Sequence, residues 1–333
     1  MTTISNIETL FMMLHEWIPQ NKVDWERLSS NPNPNAIHLL EQNLDEVDWE
    51  NLSGNLNAIH ILEANLDKVY WSEVSRNPNA IHILEQNIDE VDWYQLSRNP
   101  NAIQLLEKHL DKITTECWAQ LSRNPNAIPI LEQNLDKMTT ECWAQLSRNP
   151  NAIHILEQNL DKVCWFYLSY TPNAIHILEQ NLDKVNWWAL SGNPNAIHIL
   201  EQNLNKVKWM SLSSNPTAIH ILEQNLDKAN WSMLSKNPNA IHILEQNLDK
   251  VQWNWLSQNP NAIHILEQNL EKVHWRWLSA NPNIFTYDYK AIKDRMFRNG
   301  GIKEDLMKNR FHPQNLYKFK GWGFDGPDDD DIE

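Results

Sequence analysis

The chain has 333 residues, 41% of them apolar, enough for a sizeable core; seven glycines and sixteen prolines exclude collagen-like and Gly/Ser low-complexity sequence. Three cysteines make no disulfide framework and point to a reducing, intracellular setting, and no apolar run reaches the roughly 20 residues of a membrane span. A net charge of −15 argues against a general nucleic-acid binder.

In chain order, residues 1–22 come first. The apolar run Leu10 to Leu14 is short, has no basic leader and is followed by His15 and Glu16, so it is not read as a signal peptide. Ile7 to Trp17 reads as one amphipathic helix that caps the array beginning at residue 23.

From residue 23 to 284 one phrase recurs. Tryptophans 25, 49, 71, 93, 118, 143, 165, 187, 209, 231, 253 and 275 open twelve repeats, mostly 22 residues apart, with a first step of 24 and two middle steps of 25. A fixed period of this size marks a solenoid rather than independent globular domains. In each repeat x-W-x-x-L-S predicts a short helix, with Asp or Asn before the tryptophan as N-cap in several repeats (Asp24, Asp48, Asp92, Asn186, Asn230). Asn-Pro-Asn-Ala-Ile-His-Ile-Leu-Glu-Gln-Asn-Leu predicts a longer helix, as at Asn193 to Leu204, with Asn193 as N-cap and Pro194 at the first helical position. Ala196, Ile197, Leu200 and Leu204 fall on its apolar stripe, and Asn203 stands where a left-handed C-terminal cap is expected. The 25-residue repeats read Thr-Thr-Glu-Cys-Trp; three added residues are nearly one helical turn and keep the core face in phase. The expected fold is therefore all-α, an α-solenoid of about twelve short two-helix repeats with helical caps. The alternative is a leucine-rich-repeat-like α/β solenoid, which shares the period but needs a Leu-x-Leu strand that these repeats lack. Helices packed 8–10 Å apart predict a rod or superhelix about 100 Å long.

Residues 285–322 carry nine Lys or Arg against four Asp or Glu and read as a basic helical C-terminal cap; residues 323–333 form an acidic tail read as disordered.

The phrase L-S-x-N-P-N-A-I-H-I-L-E-Q-N-L-D-K-V-x-W resembles the repeat proteins encoded in many copies by giant nucleocytoplasmic DNA viruses. Arg295-Met296 through Phe311-His312-Pro313-Gln314-Asn315 to Trp322-Gly323-Phe324 resembles their shared C-terminal module. The resemblance covers about residues 7 to 324. It implies a viral protein of the host cytoplasm or the virion, and it brings no activity, cofactor or site residue. The Thr-Thr-Glu-Cys repeats and the aspartate-rich tail depart from the common pattern.

Among chemistry-bearing residues, His38, His60, His82, His154, His176, His198, His220, His242 and His264 form a ladder. Rungs one helix spacing apart cannot share a metal that needs ligands within about 2.1 Å, so the ladder reads as a polar ridge. The same spacing argues against a metal cluster of Cys117, Cys142 and Cys164. No phosphate loop, nucleophile elbow or zinc helix is present, so neither an enzyme nor a cofactor is expected. The informative positions are those where the repeats differ: the site before each tryptophan, the two after it and the site after each serine, of which the two after the tryptophan are expected to face away from the core. Seven aromatics fall there, Tyr94, Phe166, Tyr167, Tyr170, Trp188, Trp255 and Trp277, beside an arginine run, Arg76, Arg98, Arg123 and Arg148. Tyr, Trp and Arg dominate interface hot spots and solenoids offer continuous surfaces, so these residues are the candidate contacts of a host or viral protein partner. Gap-filling between repeats is the competing reading. The functional expectation is a non-catalytic protein-interaction scaffold. The alternatives are a virion protein that self-assembles or packs on capsid, and nucleic-acid binding through the basic C-terminal cap. No membrane partner is expected.

Overall fold

The computed structural model describes residues 12–290 and 293. They fall into two compact units, residues 16–284 and the flanking segments on either side. The repeats are all-α, and among the described residues the strands are β1 (Met12–Leu14) and β2 (Phe285–Tyr287), outside the repeats. This excludes the leucine-rich alternative. We number the repeats 1 to 12 by their tryptophans and call the two helices of each the Trp helix and the Ile helix, as in Trp187–Ser191 and Ile197–Glu201 of repeat 8.

The Ile helix is shorter than its sequence suggests. In repeat 8 it begins at Ile197, and Asn193 does not cap it; the side chain of Asn193 reaches into the previous repeat instead. Repeat 1 has the expected geometry, with Pro34 opening the helix Pro34–Glu41 and the side chain of Asn33 accepting from the backbone N–H of Asn35, and in repeat 11 Asn259 caps a 3-10 turn, Pro260–Ala262, that runs directly into Ile263–Glu267. Because the helix ends at Glu201, Leu204 lies beyond it and is exposed, and the buried stripe is Ala196, Ile199 and Leu200. The asparagines Asn87, Asn134, Asn181 and Asn269, equivalent to Asn203, do not take a left-handed turn either. Asn181, for example, has φ −135°, and its amide donates 2.9 Å to the carbonyl of Ile177, capping the helix through its side chain.

Neighbouring repeats are joined at their turns by a buried ladder. The amide nitrogen of each ladder asparagine donates at 2.9–3.2 Å to two carbonyls of the preceding repeat, as Asn215 does to Ser191 and Asn193. Its oxygen accepts the backbone N–H two residues on, as Asn193 does from Asn195. In nine of the eleven steps along the chain, the serine of one repeat also accepts a backbone N–H from the residue before the next tryptophan, as Ser191 does from Lys208. Trp93-to-Trp118 and Trp118-to-Trp143 are the exceptions: there Thr114 and Thr139 cap helices that start a turn earlier, Thr115–Arg123 and Thr140–Leu146.

The ladder does not end at repeat 12. Asn31 donates to the carbonyls of Ser279 and Asn281 at 2.9 and 3.0 Å, Asp24 N–H donates to Ser279 Oγ at 2.9 Å, and Asn33 donates to the carbonyl of Pro282. Repeat 1 thus meets repeat 12 through the bonds that join all other neighbours, and the predicted open rod is instead a closed cycle. The expected rod length becomes a circumference of about 100 Å through the helix axes. Closure arises because the sequence repeats one interface: equal interfaces turn the chain by equal angles, and a planar turn that divides the circle closes. The ring seam is further lined by Trp17 against Trp275, at 6.3 Å between ring centroids, and by Arg276 on Glu26 at 2.9 Å. That ion pair is about half exposed, so the buried amide ladder is the stronger tie.

One rung differs. Thr171 replaces asparagine in repeat 7 and donates a single bond across the interface, to the carbonyl of Ser147 at 2.8 Å. Replacing Thr171 with Asn supplies a donor for the carbonyl of Asn149 and an acceptor for Asn173 N–H, as on the other rungs. We expect it to raise stability by about 1 kcal/mol in urea unfolding.

The flanking segments correct the expectation of helical caps. Met12–Leu14 pairs antiparallel with Phe285–Tyr287, Met13 opposite Thr286. A five-residue apolar run is too short to separate strand from helix by periodicity, and Pro19 disfavours a helix running on through residue 22. The β-branched and aromatic residues Phe285, Thr286 and Tyr287 suit the partner strand. Tyr289, Lys290 and Lys293 are helical. Residues 1–11 and the rest of the C-terminal cap and acidic tail lie outside the described residues.

Candidate partner-binding surface

The Trp helix begins at its tryptophan, and the residue before it caps the helix where it is Asp or Asn: Asp92 accepts from Gln95 N–H and Asn186 from Ala189 N–H. The leucine three residues on is fully buried, which fixes the rotation of the helix. The first site after the tryptophan then points outward. Tyr94, Phe166, Trp188 and Met210 there are 39–53% exposed. The second site does not face away as expected. Ala189 and Ser211 are buried, and Tyr167, Trp255 and Trp277 are half-buried, because the neighbouring Trp helix stands beside them; in repeat 5, where the Trp helix starts a turn earlier, the first-site residue Ala119 is buried as well.

The residue after the serine in one repeat lies against the second-site residue of the next. Arg148 stacks on Tyr167, with its guanidinium carbon 3.7 Å from the ring centroid, and Lys236 covers Trp255 at 5.4 Å. At Gly192 a β-carbon would come within 2.9 Å of Ser211 Oγ and 2.8 Å of the Tyr170 hydroxyl. Gly192 therefore makes room for Tyr170. Its signal in the sequence was slight: Gly54 and Gly192 are the two glycines of residues 23–284.

The predicted residues separate into four groups. Phe166, Tyr167, Tyr170 and Trp188 come together. Phe166 and Trp188 are nearly parallel, 6.1 Å apart, with Tyr167 edge-on to Phe166 at 5.2 Å and Tyr170 beside Trp188 at 6.1 Å. With Arg123, Arg148, Thr171 and Pro172 they line a groove of about 530 Å³ across repeats 5 to 8. Trp255 and Trp277 form a second cluster, stacked at 6.2 Å, with Arg27 of repeat 1 over Trp277 at 4.9 Å, so this pair packs across the seam. Tyr94 stands apart in repeat 4, 41% exposed. Of the arginine run, Arg76 is paired with Glu73 at 3.1 Å. Arg98, Arg123 and Arg148 have no ion-pair partner among the described residues. Burial, and then the charges of Arg98 and Arg148, hold Arg123 below the ordinary guanidinium range, the direction that desolvation and like-charge repulsion dictate.

The other ladders are structural. His60, His82, His154, His176, His198, His220, His242 and His264 each place Nε2 at 2.5–2.8 Å from a glutamate of the preceding repeat, as His198 does on Glu179. Gln104 and Pro129 interrupt this exposed row. A lysine in the turn after the Ile helix lies over the repeat tryptophan in eight repeats, such as Lys206 over Trp187 at 4.7 Å. Sequence reading missed both pairings, since each joins residues 19 or more positions apart. Cys117 and Cys142 are buried and Cys164 is half-buried, all as free thiols. Among the described residues no three His, Cys, Asp or Glu side chains come together as a metal site, and no helix is long and apolar enough to cross a membrane. No protein-family model, characterised protein or solved structure matches the chain.

Proposed function

We propose that the chain is a non-catalytic protein-interaction scaffold that holds a protein partner on the variable face of its Trp helices, centred on Phe166, Tyr167, Tyr170 and Trp188. The observation that carries this reading is that Phe166, Tyr170 and Trp188 are 39–45% exposed and stacked on one another, on a frame whose other positions barely vary. Gap-filling residues would be covered by the next repeat, as Ala189 and Ser211 are. Rigid, half-exposed aromatics beside arginine are the composition of interface hot spots. With the resemblance to giant-virus repeat proteins, the role belongs to the infected host's cytoplasm or the virion.

The test is a variant with Phe166, Tyr170 and Trp188 changed to Ala, used with wild type to capture proteins from nuclease-treated infected-host lysate. Helical content and melting should stay close to wild type while a protein recovered by wild type disappears. Equal recoveries, or recovery of nothing except the chain itself, would end this reading and favour a self-assembling structural role. Trp255 and Trp277 are left intact in that variant because they pack across the seam.

A further inference from the structure

Position after position, the site following the serine runs Arg98, Arg123, Arg148 and Tyr170 in repeats 4 to 7, and the groove at its far end is walled by Phe166, Tyr167 and Trp188. The three arginines are uncompensated among the described residues of a chain whose net charge is −15. Arg148 spends its flat face on Tyr167, which leaves the N–H groups at the guanidinium edge for a carboxylate. Successive stations are one repeat apart, about 8–10 Å. An extended peptide advances about 10 Å in three residues.

We infer that this face binds an extended acidic peptide segment of the partner, with carboxylates three residues apart on Arg98, Arg123 and Arg148 and an aromatic or aliphatic side chain, three residues further on, in the groove between Phe166, Tyr170 and Trp188. The inference rests on reading the variable face as a partner surface and adds the partner's chemistry. Charge complementarity selects the occupant: three cations in a line on an otherwise acidic protein attract a spaced anion and repel nothing of that sign locally. A single-stranded nucleic acid fits less well. It needs a stacking platform beside successive phosphates, and here the aromatics are gathered at one end.

The experiment uses the full-length protein and labelled synthetic peptides, read by fluorescence anisotropy. One peptide carries three glutamates at every third position and phenylalanine three residues after the last; a second is its reverse sequence, and a third has the same composition with the glutamates contiguous. One of the two spaced peptides should bind, and the contiguous one about tenfold more weakly. Changing Arg123 and Arg148 to Ala should weaken binding about tenfold for each charge-assisted hydrogen bond removed. Helical content should be unchanged, since removing like charges leaves no buried group unpaired. An Arg148→Lys variant should bind between wild type and Arg148→Ala. Equal binding of the contiguous peptide, indifference to the arginine changes, or stronger binding of oligothymidylate of matched charge would overturn the inference. If no peptide binds while the aromatic variant still loses its captured protein, the interaction surface stands and its acidic-peptide chemistry falls. If both fail, both readings fall.

Discussion

Asn31→Ala should destabilise the protein by about 3 kcal/mol in equilibrium urea unfolding, as much as Asn215→Ala in the middle of the array. Asn31 lies in the first repeat, where an open solenoid would leave it at an end with no preceding repeat to touch. In the closed ring its amide satisfies the buried carbonyls of Ser279 and Asn281, and its oxygen takes the N–H of Asn33. Asn215 does the same for Ser191, Asn193 and Thr217. Each substitution therefore strands three buried or part-buried backbone groups, at about 1–3 kcal/mol for a fully buried one. A cost near zero at Asn31, with the full cost at Asn215, would show that the ring is open in solution. Closure also predicts that sedimentation gives a compact particle, because a rod of the same mass would have much higher friction.

Trp143→Ala should cost about 3–5 kcal/mol, the usual range for truncating a fully buried aromatic. Trp187→Ala should cost less, about 2 kcal/mol, on the half of its area that packing removes from water. Both tryptophans hold the same place in the repeat, and the sequence alone treats them as equal core residues. The structure separates them. In the 25-residue repeats the added turn Thr-Thr-Glu-Cys carries the helix further across its neighbour, so Trp118 and Trp143 are 6% and 5% exposed, whereas Trp187 is half-buried under Lys206. Parallel melting curves decide the matter: equal losses would mean that the added turn contributes no burial. Lys206→Ala should weaken the fold by well under 1 kcal/mol by the same measurement, since an exposed cation over a ring contributes little.

The partner-binding readings draw on these same constraints. The groove at Phe166, Tyr170 and Trp188 lies two repeats beyond Trp118, on the side of the array where the His–Glu row is broken by Gln104 and Pro129 and the arginines gather. Departures from the repeat thus cluster in repeats 4 to 8, while repeats 9 to 11 keep close to the consensus apart from their variable sites. A scaffold needs only one such region to have a specific partner, and the remaining repeats hold its shape.

Period, helical class and the identity of the variable positions were determined by the sequence alone. They are local: a 22-residue phrase with Leu and Ile at helical spacing and Asn-Pro at each turn can be read within one repeat. The exposure of Tyr94, Phe166, Trp188 and Met210 at the first site after the tryptophan was legible for the same reason, since Leu three residues on pins the rotation of the helix. Tertiary structure decided what depends on the angle between repeats. A small turn at each interface, set by the asparagine ladder and the packing of adjacent Trp helices, adds up over twelve repeats and determines whether the array is a rod or a ring. No single repeat carries that sum. The second site after the tryptophan and the His–Glu pairs depend on how one repeat stands against the next, and the Lys–Trp contacts on how each repeat folds back on itself; the meeting of Trp277 with Arg27 is the one that needs the closed ring.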